Sequence, residues 1–135
     1  MRVVFDANVV AAGVCWNGEG SVCLAKLARR QVFAWGSTVT LEETRETVTR
    51  LIQELRPAHN AAVRLNWYME KVRVVEPAPL GKQSSRDAQD DPYLACALAA
   101  GARVIVSYDK DLLALEKPFG IQIVRPAMLF KLLQP

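Results

Sequence analysis

Five short runs of strand-forming residues, RVVFDA, QVFAWGS, VRVVEP, RVIVS and IQIV, recur along the chain with helix-like stretches between them. Strands that read as nearly continuous apolar runs are those buried on both faces. Their alternation with helices predicts an α/β fold, a central, mostly parallel five-stranded sheet covered by helices on both sides. The intervening stretches have the matching period. EGSVCLAKLARR repeats apolar residues at Val22, Leu24, Leu27 and Ala28, close to helical spacing. TLEETRETVTRLIQEL reads as a helix entered through Thr40, with Glu43 three residues on completing a capping box. Pro57 is placed to start AHNAAVRLNWYMEKV, whose stripe runs through Val63, Trp67 and Tyr68 or Met69. APLGKQSSRDAQ is the longest loop. DPYLACALAAG is a helix with Pro92 at its start and Gly101 at its end, KDLLALE is a short helix, and a last helix follows Pro126.

A chain of 135 residues is expected to form a single domain, 1–135, with a core that needs no disulfides. At 51% hydrophobic and 23% charged residues it has the composition of a soluble globular protein. No apolar run approaches the roughly 18 residues of a membrane helix, and the N-terminus does not read as a signal peptide, so a cytoplasmic address is expected. Cys15, Cys23 and Cys96 lack metal-ligand or disulfide spacing and read as buried thiols. His59 is the only histidine, which disfavours triad chemistry. The net charge of +3 permits a polyanionic partner without requiring one.

In a parallel α/β sheet functional groups gather at the carboxyl ends of the strands. Asp6 ends the first strand, Asp109 follows the fourth, Asp91 opens the helix feeding the fourth, and Glu43 lies in the helix after the second. Each has a bland alternative: Asp91 before Pro92 as a helix N-cap, Glu43 as the capping-box acid. Asp6 is the hardest to explain away, because an unpaired carboxylate entering the sheet's interior is costly. Converging carboxylates need a cation, and hard oxygen donors without His or Cys are what Mg²⁺ or Mn²⁺ prefer.

The segments VVFDANVVAAG, STVTLEETRETVTRL and DDPYLACALAAGARVIVSYDKDLL, in that order and spacing, resemble a PIN domain, with a likeness to the PIN proteins of prokaryotic toxin–antitoxin pairs related to VapC toxins. The likeness runs from Arg2 to about Pro126. It implies a three-layer α/β/α fold and a metal-dependent ribonuclease of single-stranded RNA. By that resemblance the catalytic and metal-holding acids are Asp6, Glu43, Asp91 and Asp109, supported by Asn8, Ser37 and Asp111. Glu42 and Asp90 stand beside two of these as alternatives. Thr44 replaces the commoner Leu after the Glu. Lys82, Arg86, Lys110 and Arg45 are the candidate phosphate contacts. The implied partners are a cognate antitoxin protein and a second copy of the chain, with no membrane; Trp16, Trp35 and Trp67 are candidates for such surfaces.

Phosphodiester hydrolysis needs an acidified water, in-line geometry and positive charge by the phosphate, all of which one or two Mg²⁺ ions supply. A receiver domain would want a Lys after its last strand, where IQIV is followed by Arg125 and Pro126. An Asp-x-Asp phosphatase would want an acid where Asn8 stands. The remaining alternatives are a non-catalytic acidic-pocket binding module and a housekeeping RNA-processing PIN nuclease.

Overall fold

The central strand, β1 (Arg2–Phe5), pairs in parallel on both sides: Arg2 and Val3 with Phe33 and Ala34, and Val3, Val4 and Phe5 with Val104, Ile105 and Val106. The structure is a computed structural model and describes residues 1–57, 60–80 and 91–135. β2 (Phe33–Gly36) then pairs with β3 (Arg73–Val74), and β4 (Val104–Val106) with β5 (Gln122–Val124). The result is one five-stranded, all-parallel sheet of order β3-β2-β1-β4-β5.

Side-chain alternation along β1 and β4 divides the core in two. Val3 and Phe5, with Val104 and Val106, join the larger cluster. Over it lie α1 (Ala7–Cys15), α2 (Glu19–Ala28), α3 (Thr38–Leu55), α4 (Ala61–Lys71) and α7 (Pro126–Leu133). Val4 and Ile105 point the other way, against Tyr93, Leu94, Cys96, Ala97 and Ala100 of α5 (Asp91–Ala100). The period of two in RVVF and VIV thus builds the three layers. A short α6 (Lys110–Leu113) follows β4, and a 3₁₀ turn at Pro118–Gly120 leads into β5. The three cysteines are buried free thiols, as expected. No helix among the described residues is long and apolar enough to cross a membrane.

Four expectations need correction. The α1 helix was not foreseen, because ANVVAAGVC has no polar face; it is buried almost all round, which removes the helical periodicity. α3 is entered three residues earlier than expected, through Ser37. Thr40 completes the capping box, and Glu43 takes no part in it. α4 begins after an Asn60 cap rather than at Pro57, and buries Ala61, Leu65 and Tyr68, leaving Val63 exposed. VRVVEP supplies only two ladder residues. Part of the long loop, residues 81–90, lies outside the described residues, as does His59.

α1 and α2 meet at a glycine pair. A Cβ on Gly13 would stand 2.6 Å from the Gly20 carbonyl oxygen, and one on Gly20 2.6 Å from the Gly13 nitrogen. Backbone faces backbone there, so no rotamer change makes room. Gly13→Ala or Gly20→Ala should each cost about 1–3 kcal/mol in urea unfolding. Gly18→Ala, where a Cβ meets nothing within 4 Å, should stay within about 0.5 kcal/mol of wild type.

Candidate active site

β1 and β4 are neighbours in the sheet, yet the chain leaves them in opposite directions, toward β2 and β3 from one and toward β5 from the other. Such a switch point opens a crevice at the carboxyl ends of the two strands. Asp6 directly follows β1 and Ser107 directly follows β4. Their backbones are locked by the Asp6 N–H donating to the Val106 carbonyl at 2.9 Å.

The side chains continue the connection. The Ser107 hydroxyl donates to Asp6 Oδ2 at 2.6 Å, and Ser107 Oγ in turn accepts the Asp109 N–H at 2.9 Å. Asp109 caps α6, its Oδ1 accepting the Asp111 N–H at 3.0 Å. One chain of hydrogen bonds therefore holds Asp6, Ser107, Asp109 and Asp111 in order.

Asp6 is only 5% exposed. It occupies the N-cap position of α1, where its carbonyl accepts the Val9 and Val10 N–H groups, but its carboxylate does not act as the side-chain cap. Burial pushes the Asp6 pKa above the ordinary carboxylate value, and the nearby Asp109 charge pushes the same way. Ser107, the Ala7 N–H and Tyr93 pull it back in part.

Tyr93 projects from α5 into the same crevice. It is 1% exposed, and its hydroxyl is sealed without a hydrogen bond of good geometry. Burial first, then the Asp6 and Glu43 charges, hold its phenol above its ordinary pKa. Glu43 is half-buried and within reach of Tyr93, whereas Glu42 is exposed. Asp6 and Glu43 thus approach one buried hydroxyl from different elements.

Asp91 starts α5, half-buried, and lines with Ser37, Pro77 and Leu80 a cavity of about 310 Å³. Ser37 is buried there as the α3 cap: its Oγ accepts the Thr40 N–H at 3.3 Å while its own N–H donates to Thr40 Oγ1 at 2.9 Å. Thr44, at the departure noted after Glu43, is buried and donates to the Thr40 carbonyl at 2.9 Å. Asn8 is exposed in the first turn of α1, and Lys110 is exposed beside Asp109. Arg45 is exposed two positions beyond Glu43, about 200° around α3, and so lies off the face that carries the acid. Lys82, Arg86 and Asp90 lie outside the described residues.

Among the described residues no three His, Cys, Asp or Glu side chains stand together as a metal-holding group. The donor chemistry nevertheless suits a hard divalent cation. The acids offer carboxylate oxygens, and Asp6 feels Asp109 as a like charge that a cation would relieve.

A family model for the PIN domain matches residues 2–111. The chain belongs to the PIN domain family. No curated protein matches it. The PIN match takes in Asp6, Glu43, Asp91, Asp109 and both strand ends of the crevice, and stops at Asp111, before β5 and α7. PIN domains are in general nucleases, which gives this chain a hydrolase-type activity in general terms.

Two residues of the PIN crevice escaped the sequence reading. Ser107 was legible only as a polar residue closing an apolar run two positions before Asp109. Tyr93 is indistinguishable from a core aromatic until its hydroxyl is located.

The raised Asp6 pKa has a definite sign in stability. Between 3.8 and the raised value the native state holds the proton more tightly than the unfolded chain, so stability falls as pH rises through that window. Asp6→Asn should remove this fall and raise stability at pH 7 by on the order of 1 kcal/mol, the difference vanishing below pH 3.8 in thermal melts across pH. Ser107→Ala has the opposite effect, because it strips a buried carboxylate of its shortest hydrogen bond. A loss of about 1–3 kcal/mol is expected at pH 7, and much less in the Asp6→Asn background.

Proposed function

We propose that this PIN protein is a metal-dependent endoribonuclease that hydrolyses single-stranded RNA, the toxin of a toxin–antitoxin pair with a small protein antitoxin as its neutralising partner. The supporting observation is the Asp6 carboxylate, buried at the switch point beside Asp109 with its proton affinity raised. A fold does not retain so costly a group for packing alone, and a divalent cation relieves both the burial and the repulsion.

In this reading Asp6, Asp91 and Asp109 would hold Mg²⁺ or Mn²⁺, directly or through water. When bound, the ion supplies positive charge beside the phosphate and lowers the pKa of water. Ser107 fixes the orientation of Asp6 through its 2.6 Å bond and ties it to the Asp109 backbone. Glu43 orients the attacking water and accepts its proton. The water oxygen bonds to phosphorus, the bond to the leaving ribose oxygen breaks, and that oxygen takes up a proton. Tyr93 closes the floor of the crevice, and Lys110, exposed beside Asp109, would meet a phosphate in this reading.

A second reading, a PIN-like acidic pocket that binds without turnover, draws on the absence of a ready-made three-acid group among the described residues. Calorimetric titration separates the two. The nuclease reading expects wild type to bind Mn²⁺ and to cleave single-stranded RNA, with EDTA abolishing cleavage and added Mn²⁺ restoring it. Folded Asp6→Asn should lose roughly 10²-fold or more in cleavage rate together with metal affinity. Metal binding without cleavage would favour the pocket, and metal binding equal in wild type and Asp6→Asn would remove the site.

A further inference from the structure

At the opposite end of the sheet from the acids lies a cavity of about 660 Å³, lined by Leu27, Ala28, Arg30, Phe33, Ala34, Trp67, Lys71 and Arg73. It lies where α2 and α4 end and where β2 and β3 begin. Three cations and two aromatic residues line it, and no carboxylate does. Three of the chain's 17 Lys and Arg residues therefore share one cavity without a counter-charge in its lining.

The cations differ in how their positions are explained. Lys71 is in the last turn of α4, where a helix dipole favours a cation for purely local reasons. Arg73 is laid over the Phe33 ring at 5.2 Å and the Trp35 ring at 5.8 Å. Arg30 has no such account. Past α2 the Gln31 N–H bonds to the Lys26 carbonyl at 3.0 Å and the Arg30 N–H to the Leu27 carbonyl at 3.1 Å, the paired bonds of a Schellman turn. Arg30 fills its left-handed position at φ 59°, the place glycine takes most easily. Arg56 takes the same left-handed conformation at the end of α3, so it is the place of Arg30 in the lining of a basic cavity that sets it apart.

We propose that this cavity binds one nucleotide unit of single-stranded RNA, its phosphate between Arg30 and Lys71 and its base against Trp67. The pairing of backbone cations with a sequence-tolerant aromatic surface is how single strands are held without base readout. The volume is that of a small-ligand pocket. Only the choice of RNA rests on the nuclease reading. From Phe33, at the start of β2, to Ser37, which caps α3 beside Asp91, is four residues, about 13 Å of strand. The cavity and the acids thus lie about one strand length apart, at opposite ends of the sheet, so the site anchors substrate without touching the reacting phosphate.

The test is fluorescence anisotropy of a fluorescein-labelled single-stranded RNA of about ten nucleotides in EDTA, where cleavage is suppressed. Wild type, Arg30→Gly and Lys71→Ala are compared, with AMP and polyglutamate as competitors. Arg30→Gly is the informative variant, because it should raise the melting temperature while weakening RNA binding roughly five- to tenfold, which separates lost affinity from lost folding. It should also lower the slope of log affinity against log salt by about 0.7 per phosphate contact removed. Lys71→Ala should act in the same direction. Displacement by AMP supports the site with a free nucleotide as sufficient ligand; weakened variants without AMP displacement support it with the strand as ligand. Equal affinity and salt slope in wild type, Arg30→Gly and Lys71→Ala overturns the proposal, as does displacement by polyglutamate as effective as by RNA itself. Failure here leaves metal binding and cleavage at the acidic crevice untouched, and failure there leaves RNA binding in EDTA untouched.

Discussion

The bond from Ser107 to Asp6 joins residues 101 positions apart, and the organisation of the crevice depends on it. It closes the β1–β4 pairing at its carboxyl end, as the valine and isoleucine ladder closes it along its length. A carboxylate with so little exposure survives only with donors in place. Ser107, the Ala7 N–H at the start of α1 and Tyr93 share that task. Each comes from a different element, so the charge state of one side chain depends on the mutual placement of β1, β4, α1 and α5.

Much of the architecture was written in local patterns. Nearly continuous apolar runs located all five strands and announced a sheet covered on both faces. Pro92 and Gly101 bracketed α5, and the helix after Pro126 starts where proline permits it. The failures share a cause. α1 vanished from the periodicity because the fold surrounds it, and the start of α3 shifted because Ser37 and Thr40 together make a better cap than Thr40 and Glu43. Burial and reciprocal hydrogen bonding are tertiary properties, and neither is expressed in spacing.

The crevice shows the same division. Residue type and position at a strand end suffice to single out Asp6 and Asp109. The structure shows Glu43 turned inward while Glu42 faces solvent, a distinction that rests on helix phase set by the true cap. Ser107 and Tyr93 carry no signature of their own. A serine ending a strand and a tyrosine inside a helix are commonplace, and both matter here only through what lies across the sheet. Capping and site roles are also not exclusive: Asp109 is a helix cap and part of the acidic chain at once.

The order β3-β2-β1-β4-β5 leaves two open edges, and both are blunt. β3 offers two residues, both exposed and one of them the Arg73 whose guanidinium covers neighbouring rings; β5 offers three, half-covered by their surroundings. A short edge carrying a charge presents too few unpaired amides to template another strand. Among the described residues this protein therefore carries a hydrophobic, all-parallel sheet while giving a neighbouring chain almost no edge backbone to zip onto.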